Sequence, residues 1–208
     1  MVQMRSITST SYALAANESK LYSWTMNFPV IETARLRLRP LTADDVDDLH
    51  RLWIDRDVRR YLWDDEVIPR ERVAAIIDQS HASFETTGIG LWAVFLRGED
   101  ALIGFCGFWF FHDPPQLQLL YGIAPAYWNR GLATEAAVAM MRYGFDEHSF
   151  DRIEASTDAP NRASIRVMEK AGMKFEKRVY TKGLDTVFYS VSREAFHPGE
   201  SSYLLRRA

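Results

Sequence analysis

One short segment has the residue types and the spacing of an anion-binding turn. The decapeptide YWNRGLATEA, residues 127–136, follows the apolar run LQLLYGIAP and opens a segment with helical character. A helix start offers backbone N–H groups without partners inside the helix, together with a partial positive charge, and a phosphate satisfies both. Gly131 lets an oxyanion approach the main chain because it has no Cβ, Asn129 tolerates a left-handed backbone, and Arg130 can add a charge-assisted contact. The segment therefore predicts either a phosphate site or simply a tight strand-to-helix turn.

The common nucleotide loops are missing from this chain. Neither GxxxxGK[ST] nor GxGxxG with its later acidic partner occurs, which disfavours an ATPase and a dinucleotide dehydrogenase. A second polar segment, NRASIRVMEKAG, follows the strand-like stretch DRIEAST. It combines a loop asparagine, Asn161, with Ser164, which we predict to cap the helix that follows.

The elements that must position these segments can be read from hydrophobic periodicity. The order is one strand, helices, a meander of three strands, a helix, a strand, a helix and two strands. QLQLLYGI and DRIEAST are joined through a helix with short connections, so we expect them to lie parallel. The pattern predicts a single α/β (α+β) domain with a mixed sheet and helices on both faces. We assign residues 1–27 to a flexible leader, 28–198 to the domain and 199–208 to a C-terminal tail.

The amino-acid composition narrows the classes of partner that the protein could bind. A formal net charge of −3 disfavours nucleic acid, because proteins that bind the phosphate backbone carry a basic excess. No apolar run is long enough to cross a membrane. The single cysteine, Cys106, lies in an apolar stretch, which favours a buried thiol over a nucleophile. A chain with one cysteine cannot form an internal disulfide, which favours a cytoplasmic location.

Three ordered segments, RLRLRPLTADD, YWNRGLATEA and NRASIRVMEKAG, together resemble the GCN5-related N-acetyltransferase family. The resemblance runs from about residue 31 to residue 196, and the turn of residues 128–133 follows the family pattern R/Q-x-x-G-x-G/A, with Trp128 at its first position. The most similar subgroup acetylates the N-termini of ribosomal proteins. The resemblance implies a mostly antiparallel twisted sheet with a central, splayed parallel pair.

It also implies acetyl-coenzyme A as cosubstrate, bound where the parallel strands separate, and no metal. Main-chain groups of Tyr121, Gly122 and Ile123 would align the pantetheine arm, and the Ile123 N–H would stabilise the oxyanion. Asn161 would touch the arm and Ser164 would lie near the thioester. The amides that would hold the pyrophosphate belong to Asn129, Arg130, Gly131, Leu132, Ala133 and Thr134.

The chain departs from the family at two positions. Gln118 stands where members often have a glutamate, so it could hold a water or the substrate but could not act as a base. Met168 stands where many members have a tyrosine general acid, which leaves Ser164 to protonate the thiolate. We consider His112, Asp113 and Glu85 as sources of a base, although each has the character of a solvated residue.

Acceptor contacts are expected from the front half of the chain. The candidate residues are Trp53, Tyr61, Trp63, Asp65 and Trp109. The expected reaction is acetyl transfer to a primary amine, with the N-terminal α-amine of a ribosomal or other protein as the first choice. A small-molecule amine (an antibiotic, polyamine or sugar amine) and a non-catalytic acyl-coenzyme A sensor remain as alternatives, and we expect a monomer or a homodimer.

Overall fold

The structure is a computed structural model, and it describes residues 29–111, 115–181, 183–199 and 202–207. It contains five α-helices and nine strands within these ranges. The strands are β1 (Val30–Thr33), β2 (Leu36–Pro40), β3 (Leu91–Leu96), β4 (Leu102–Phe111), β5 (Gln116–Ile123), β6 (Arg152–Asp158), β7 (Lys174–Thr181), β8 (Leu184–Ser192) and β9 (Tyr203–Arg206). The helices are α1 (Val46–Ile54), α2 (Arg56–Leu62), α3 (Arg70–Thr87), α4 (Leu132–His148) and α5 (Arg162–Lys170).

All nine strands form one sheet in the order β7-β8-β6-β5-β4-β3-β2-β1-β9. Every neighbouring pair is antiparallel except β5 and β6, which are parallel. The predicted fold class, the meander β3-β4-β5 and the pairing of β7 with β8 are therefore confirmed. The sequence did not reveal β1 and β9, which have four residues each and pair with one another at one edge of the sheet.

Helices cover both faces of the sheet, as two consecutive residues of β4 show. Successive side chains of a strand point to opposite faces. The Phe105 ring contacts Trp53 of α1 at a centroid distance of 5.5 Å, whereas Cys106 Sγ lies 3.6 Å from the Ala136 carbonyl oxygen in α4. Helix α1 therefore lies on one face and α4 on the other.

The parallel pair separates soon after it forms. A single register pair, Gln118 with Glu154, joins β5 to β6, although β5 continues to Ile123. On the other side β5 stays paired with β4 along its whole length. The carboxyl-terminal half of β5 therefore has a gap beside it, as predicted.

Of the leader and the tail predicted at the two ends of the chain, only the tail contains residues that the structure describes. The predicted leader, residues 1–27, lies outside the described residues. The segment assigned to a tail contributes β9, which pairs with β1 from Val30↔Arg206 to Thr33↔Tyr203.

Candidate active site

The turn before α4 has the backbone conformation that an anion cradle needs. Asn129 and Gly131 both adopt left-handed backbones, with φ of 59° and 76°. Gly131 is the N-cap of α4, and no side chain caps the helix. Within the described part of the chain, the amides of Leu132, Ala133 and Thr134 donate to no protein acceptor. These N–H groups are available to a ligand, because the first turn of a helix supplies no internal acceptor for them.

A cavity of about 440 Å³ opens at this turn, beside the gap between β5 and β6. It brings together both polar segments that were singled out in the sequence. Ten of the predicted cofactor contacts line it: Tyr121, Gly122, Ile123, Asn129, Gly131, Leu132, Ala133, Thr134, Asn161 and Ser164. Arg130 does not line it; its guanidinium stacks over the Tyr127 ring at 5.5 Å, and its carbonyl oxygen accepts from Arg35.

The main chain of Ile123 faces the gap. The Ala124 N–H donates to the Ile103 carbonyl of β4 at 2.8 Å. Because alternate residues of an antiparallel strand direct their N–H and C=O groups to opposite sides, those of Ile123 point away from β4 and towards β6. The Ile123 carbonyl accepts from Trp128 Nε1 at 2.6 Å, so the Trp128 indole lies across this part of the cavity.

Two buried hydroxyl groups meet in the cavity wall. Tyr121 Oη lies 2.9 Å from Ser164 Oγ and donates to the Ser164 carbonyl oxygen at 3.1 Å. Burial raises the pKa of Tyr121, so the phenol stays protonated at neutral pH. The prediction that Ser164 caps α5 is wrong: Asn161 is the N-cap, and its Oδ1 accepts from the Ser164 N–H at 3.2 Å. The Ser164 hydroxyl is thereby free of a capping role.

Gln118 lies in the interior instead of in the cavity. Its side chain is fully buried, and its Oε1 accepts from Ser156 Oγ at 2.7 Å. Its Nε2 donates a hydrogen bond to no protein acceptor among the described residues. Gln118 points to the opposite face of β5 from Tyr121, since the two residues are an odd number of positions apart. The structure therefore does not bring it to the predicted reaction centre.

The predicted acceptor contacts divide between core and surface. Tyr61 lines the cavity. Trp53 and Trp63 belong to the hydrophobic core, where their rings meet edge to face at 5.3 Å, because large aromatic surfaces are most stable when buried together. Asp65 is exposed and pairs with Arg59 at 2.9 Å, and Trp109 is partly buried on β4 without lining the cavity.

The candidate bases do not meet the cavity either. Glu85 is exposed on α3, with an oxygen 3.6 Å from His81 Nδ1, and it is not among the lining residues. His112 and Asp113 lie outside the described residues. Met168 is completely buried in the core, as expected for an apolar side chain on α5. Within the described ranges, no three His, Cys, Asp or Glu side chains are grouped to hold a metal ion.

Sequence reasoning missed a basic stripe on α5. Arg162, Arg166 and Lys170 line the cavity and are spaced four residues apart, which places them on one helix face. That spacing is visible in the sequence and would have revealed the stripe. Asp57 at the start of α2 also lines the cavity, and nothing in the local sequence distinguishes it from the other acids around it.

The cavity fits a ligand that has both an anionic group and a narrow, extended arm. Unpartnered amides and three cations match a diphosphate, and a strand edge with free main-chain groups matches an extended arm that carries amides. Fold and site together define an acyl-coenzyme A-dependent transferase.

Comparison with known proteins agrees with this class. Residues 35–174 match the family model described as an acetyltransferase (GNAT) domain, and the chain belongs to this family of N-acetyltransferase enzymes, which use acetyl-coenzyme A. An uncharacterized N-acetyltransferase of Bacillus subtilis (strain 168), YnaD, is 30% identical over 173 residues, covering 80% of this chain and 99% of the relative. The crystal structure of a GNAT-family acetyltransferase from Bacillus anthracis is 29% identical, with a TM-score of 0.66 over 79% of this chain and 99% of that one.

The ribosomal subgroup is represented among the structural neighbours. RimL, a ribosomal L7/L12 α-N-protein acetyltransferase solved with coenzyme A, has a TM-score of 0.65 over 79% of this chain and 99% of its own. At 18% identity that likeness shows the fold alone. A spermidine N(1)-acetyltransferase of Escherichia coli (strain K12) is 29% identical over 142 residues, 68% of this chain and 74% of its own. No helix among the described residues has the length and apolarity to span a bilayer.

Proposed function

We propose that this protein transfers the acetyl group of acetyl-coenzyme A to a primary amine by direct attack in a ternary complex. The observation that carries the proposal is the joint lining of one cavity. The free amides of the first turn of α4, the open edge of β5 and the Tyr121–Ser164 hydroxyl pair all reach it. When bound there, the thioester supplies the acyl group and a thiol leaving group.

The phosphates are assigned to the start of α4. The amides of Leu132, Ala133 and Thr134 would donate to the diphosphate, and the basic stripe of Arg162 and Arg166 adds positive charge along the same cavity. Asn129 and Gly131 contribute the left-handed backbone that turns these amides outward.

The reacting groups are assigned to β5 and α5. The Ile123 N–H, which points into the gap, would donate to the carbonyl oxygen as negative charge develops on it. The Tyr121 hydroxyl donates to the Ser164 carbonyl oxygen and lies 2.9 Å from Ser164 Oγ, so it holds the Ser164 hydroxyl in place while the Ser164 proton can be directed at the departing sulfur. Together the two hydroxyl groups replace the late-helix tyrosine whose position is taken by buried Met168.

The acids and bases of the cavity lining bear on the acceptor. Among the described residues that line the cavity, Asp57 is the one carboxylate and no histidine occurs. An α-amine has a pKa near 8, so a useful fraction is neutral at physiological pH, whereas a lysine amine has a pKa near 10. The cavity therefore favours an α-amine, in line with the subgroup that the sequence resembles, and we propose a ribosomal or other protein N-terminus as acceptor.

A small-molecule polyamine is the second candidate, because a spermidine acetyltransferase is among the relatives. Asp57 and Tyr61, which line the cavity from α2, could hold a cationic amine through charge and an aromatic face. A cytoplasmic location and a monomeric or homodimeric state remain predictions.

An amine panel separates the two acceptors. The full chain would be incubated with acetyl-coenzyme A and either a peptide with a free N-terminus, the same peptide N-blocked with an internal lysine, or spermidine, while free thiol is measured. We expect turnover with the free N-terminus only. Turnover with spermidine alone would replace the protein acceptor by a polyamine, and failure to bind coenzyme A in calorimetry would remove the proposed function altogether.

A further inference from the structure

A single carboxylate ties the turn between β1 and β2 to the first turn of α4. Glu135 Oε1 accepts from Thr33 Oγ1 at 2.6 Å and from the Arg35 backbone N–H at 2.9 Å. Its Oε2 accepts from Arg35 Nε and Nη2, each at 2.6 Å. The Glu135 side chain is 13% exposed and the Arg35 side chain is 50% exposed, so the carboxylate is largely buried while the guanidinium is partly in contact with solvent. Charge-assisted bonds of this kind are stronger than neutral ones.

The Arg35 guanidinium continues from this carboxylate to the cofactor turn. Its Nη1 donates to the Arg130 carbonyl oxygen at 2.8 Å. Its Nη2 lies 3.5 Å from the place that a Cβ on Gly131 would occupy. Arg35 does not line the cavity, so it supports the turn from outside it.

The contact with the Arg130 carbonyl has a direct consequence for the cradle. That carbonyl and the Gly131 N–H belong to one planar peptide unit and point in opposite directions. Holding the oxygen towards Arg35 turns the Gly131 N–H away from Arg35, towards the cavity that Gly131 lines. Without this contact, the peptide unit between Arg130 and Gly131 could rotate. Binding of the ligand would then cost the conformational entropy that is lost when the unit is ordered.

We propose that Arg35 and Glu135 are a positioning pair that holds the cofactor turn ready for a diphosphate. The inference rests on the proposed function, since it assumes that the turn binds the diphosphate of coenzyme A. Both residues lie in segments that carry the family resemblance, Arg35 in RLRLRPL and Glu135 in ATEA, and the fold joins those segments through this pair.

Glu135→Gln tests the pair selectively. The amide oxygen of the glutamine can still accept from Thr33 and from the Arg35 backbone, so the β1–β2 turn keeps its bonds. The amide nitrogen faces the Arg35 guanidinium, donor against donor, and releases it from the carboxylate. Arg35→Gln removes the same link from the other side, and Arg35→Lys provides a second variant that keeps the charge but not the fork.

The readout is the Kd of the full-length chain for coenzyme A and for pantetheine, which lacks the diphosphate, by calorimetry. We expect each single variant to weaken coenzyme A binding about five- to tenfold, the double variant to be no weaker than a single one, and pantetheine binding to be unchanged. Arg37→Gln is the matched control, because Arg37 pairs with fully exposed Asp100 in the loop between β3 and β4 and the substitution should leave both Kd values unchanged.

Unchanged coenzyme A binding in all Arg35 and Glu135 variants would overturn the inference, and so would additive losses in the double variant. Equal losses for pantetheine would also overturn it, since they would indicate a general loss of structure. If the unmodified chain binds no coenzyme A, the proposed function fails and not merely the positioning pair.

Discussion

The cofactor turn, residues 127–134, and the front layer formed by α1 and α2 were both expected to contact substrates, but they are built in different ways. The turn presents backbone groups, and its predicted residues line the cavity with the exception of Arg130. The front layer presents side chains, and of its candidates Tyr61 lines the cavity while Trp53 and Trp63 are buried. Backbone donors at a helix start are exposed by geometry, whereas an aromatic side chain goes wherever it removes the most surface from water.

The largest expected effect tests the front layer. Trp53→Ala should lower the free energy of unfolding by about 3–5 kcal/mol, because it opens a cavity between Trp63 and Phe105 in the core. Urea denaturation measures this. Tyr61→Ala should leave stability nearly unchanged and raise the acceptor KM. The opposite result, a stable Trp53→Ala protein with a raised acceptor KM, would return Trp53 to the acceptor site.

The next effect tests the turn. Gly131→Asp places a Cβ at a left-handed position, 3.5 Å from Arg35 Nη2, so the new carboxylate strains the turn, competes with Glu135 for the guanidinium and adds negative charge next to the diphosphate. Coenzyme A should therefore bind about 100-fold more weakly, or about 3 kcal/mol. Calorimetry measures the change. Gly98→Asp is the control, because Gly98 has a similar positive φ of 80° but lies in the β3–β4 turn with no atom near its missing Cβ. Equal affinity in both variants would move the diphosphate away from this turn.

Replacing a member of the Tyr121–Ser164 hydroxyl pair should change the rate of acetyl transfer. Ser164→Ala should lower kcat by about 10²-fold, the usual contribution of a positioned proton donor, with little change in the KM for acetyl-coenzyme A. Tyr121→Phe should lower kcat less, because Ser164 keeps its own proton. Steady-state kinetics with a free-thiol readout measures both. If the KM rises instead while kcat is preserved, the pair serves binding and not proton donation.

The smallest effect is expected at the far end of α4, where His148 packs against Tyr143 at 4.8 Å. Burial lowers the pKa of His148 from its usual 6.5. The unfolded chain then binds a proton that the folded chain does not, so stability is complete above about pH 6.5 and falls as the pH drops below it. Urea unfolding at about pH 7.5 and about pH 5.5 should show this fall, and His148→Gln should reduce it. A pH slope that is identical in His148→Gln would assign the effect to other groups.

Prediction from sequence succeeded where the structure depends on consecutive residues. The left-handed turn at Asn129 and Gly131, the helix after it and the parallel relation of β5 and β6 follow from local preferences and short connections. It failed at Gln118, whose polar side chain is buried against Ser156, and at Ser164, whose capping role belongs to Asn161. In each of these cases the outcome depends on a neighbour that is brought in by the fold or on a competition between nearby cap residues.

The sequence by itself predicted the start of α4 as an anion site, because the unpaired amides of a first turn and a residue without Cβ are properties of a short stretch of chain. Only the tertiary structure decided what supports that site. The Arg35–Glu135 pair spans 100 positions and the Tyr121–Ser164 pair spans 43. Side chains so far apart in the chain meet only after the strands and helices have packed, and no local preference encodes which of them will meet.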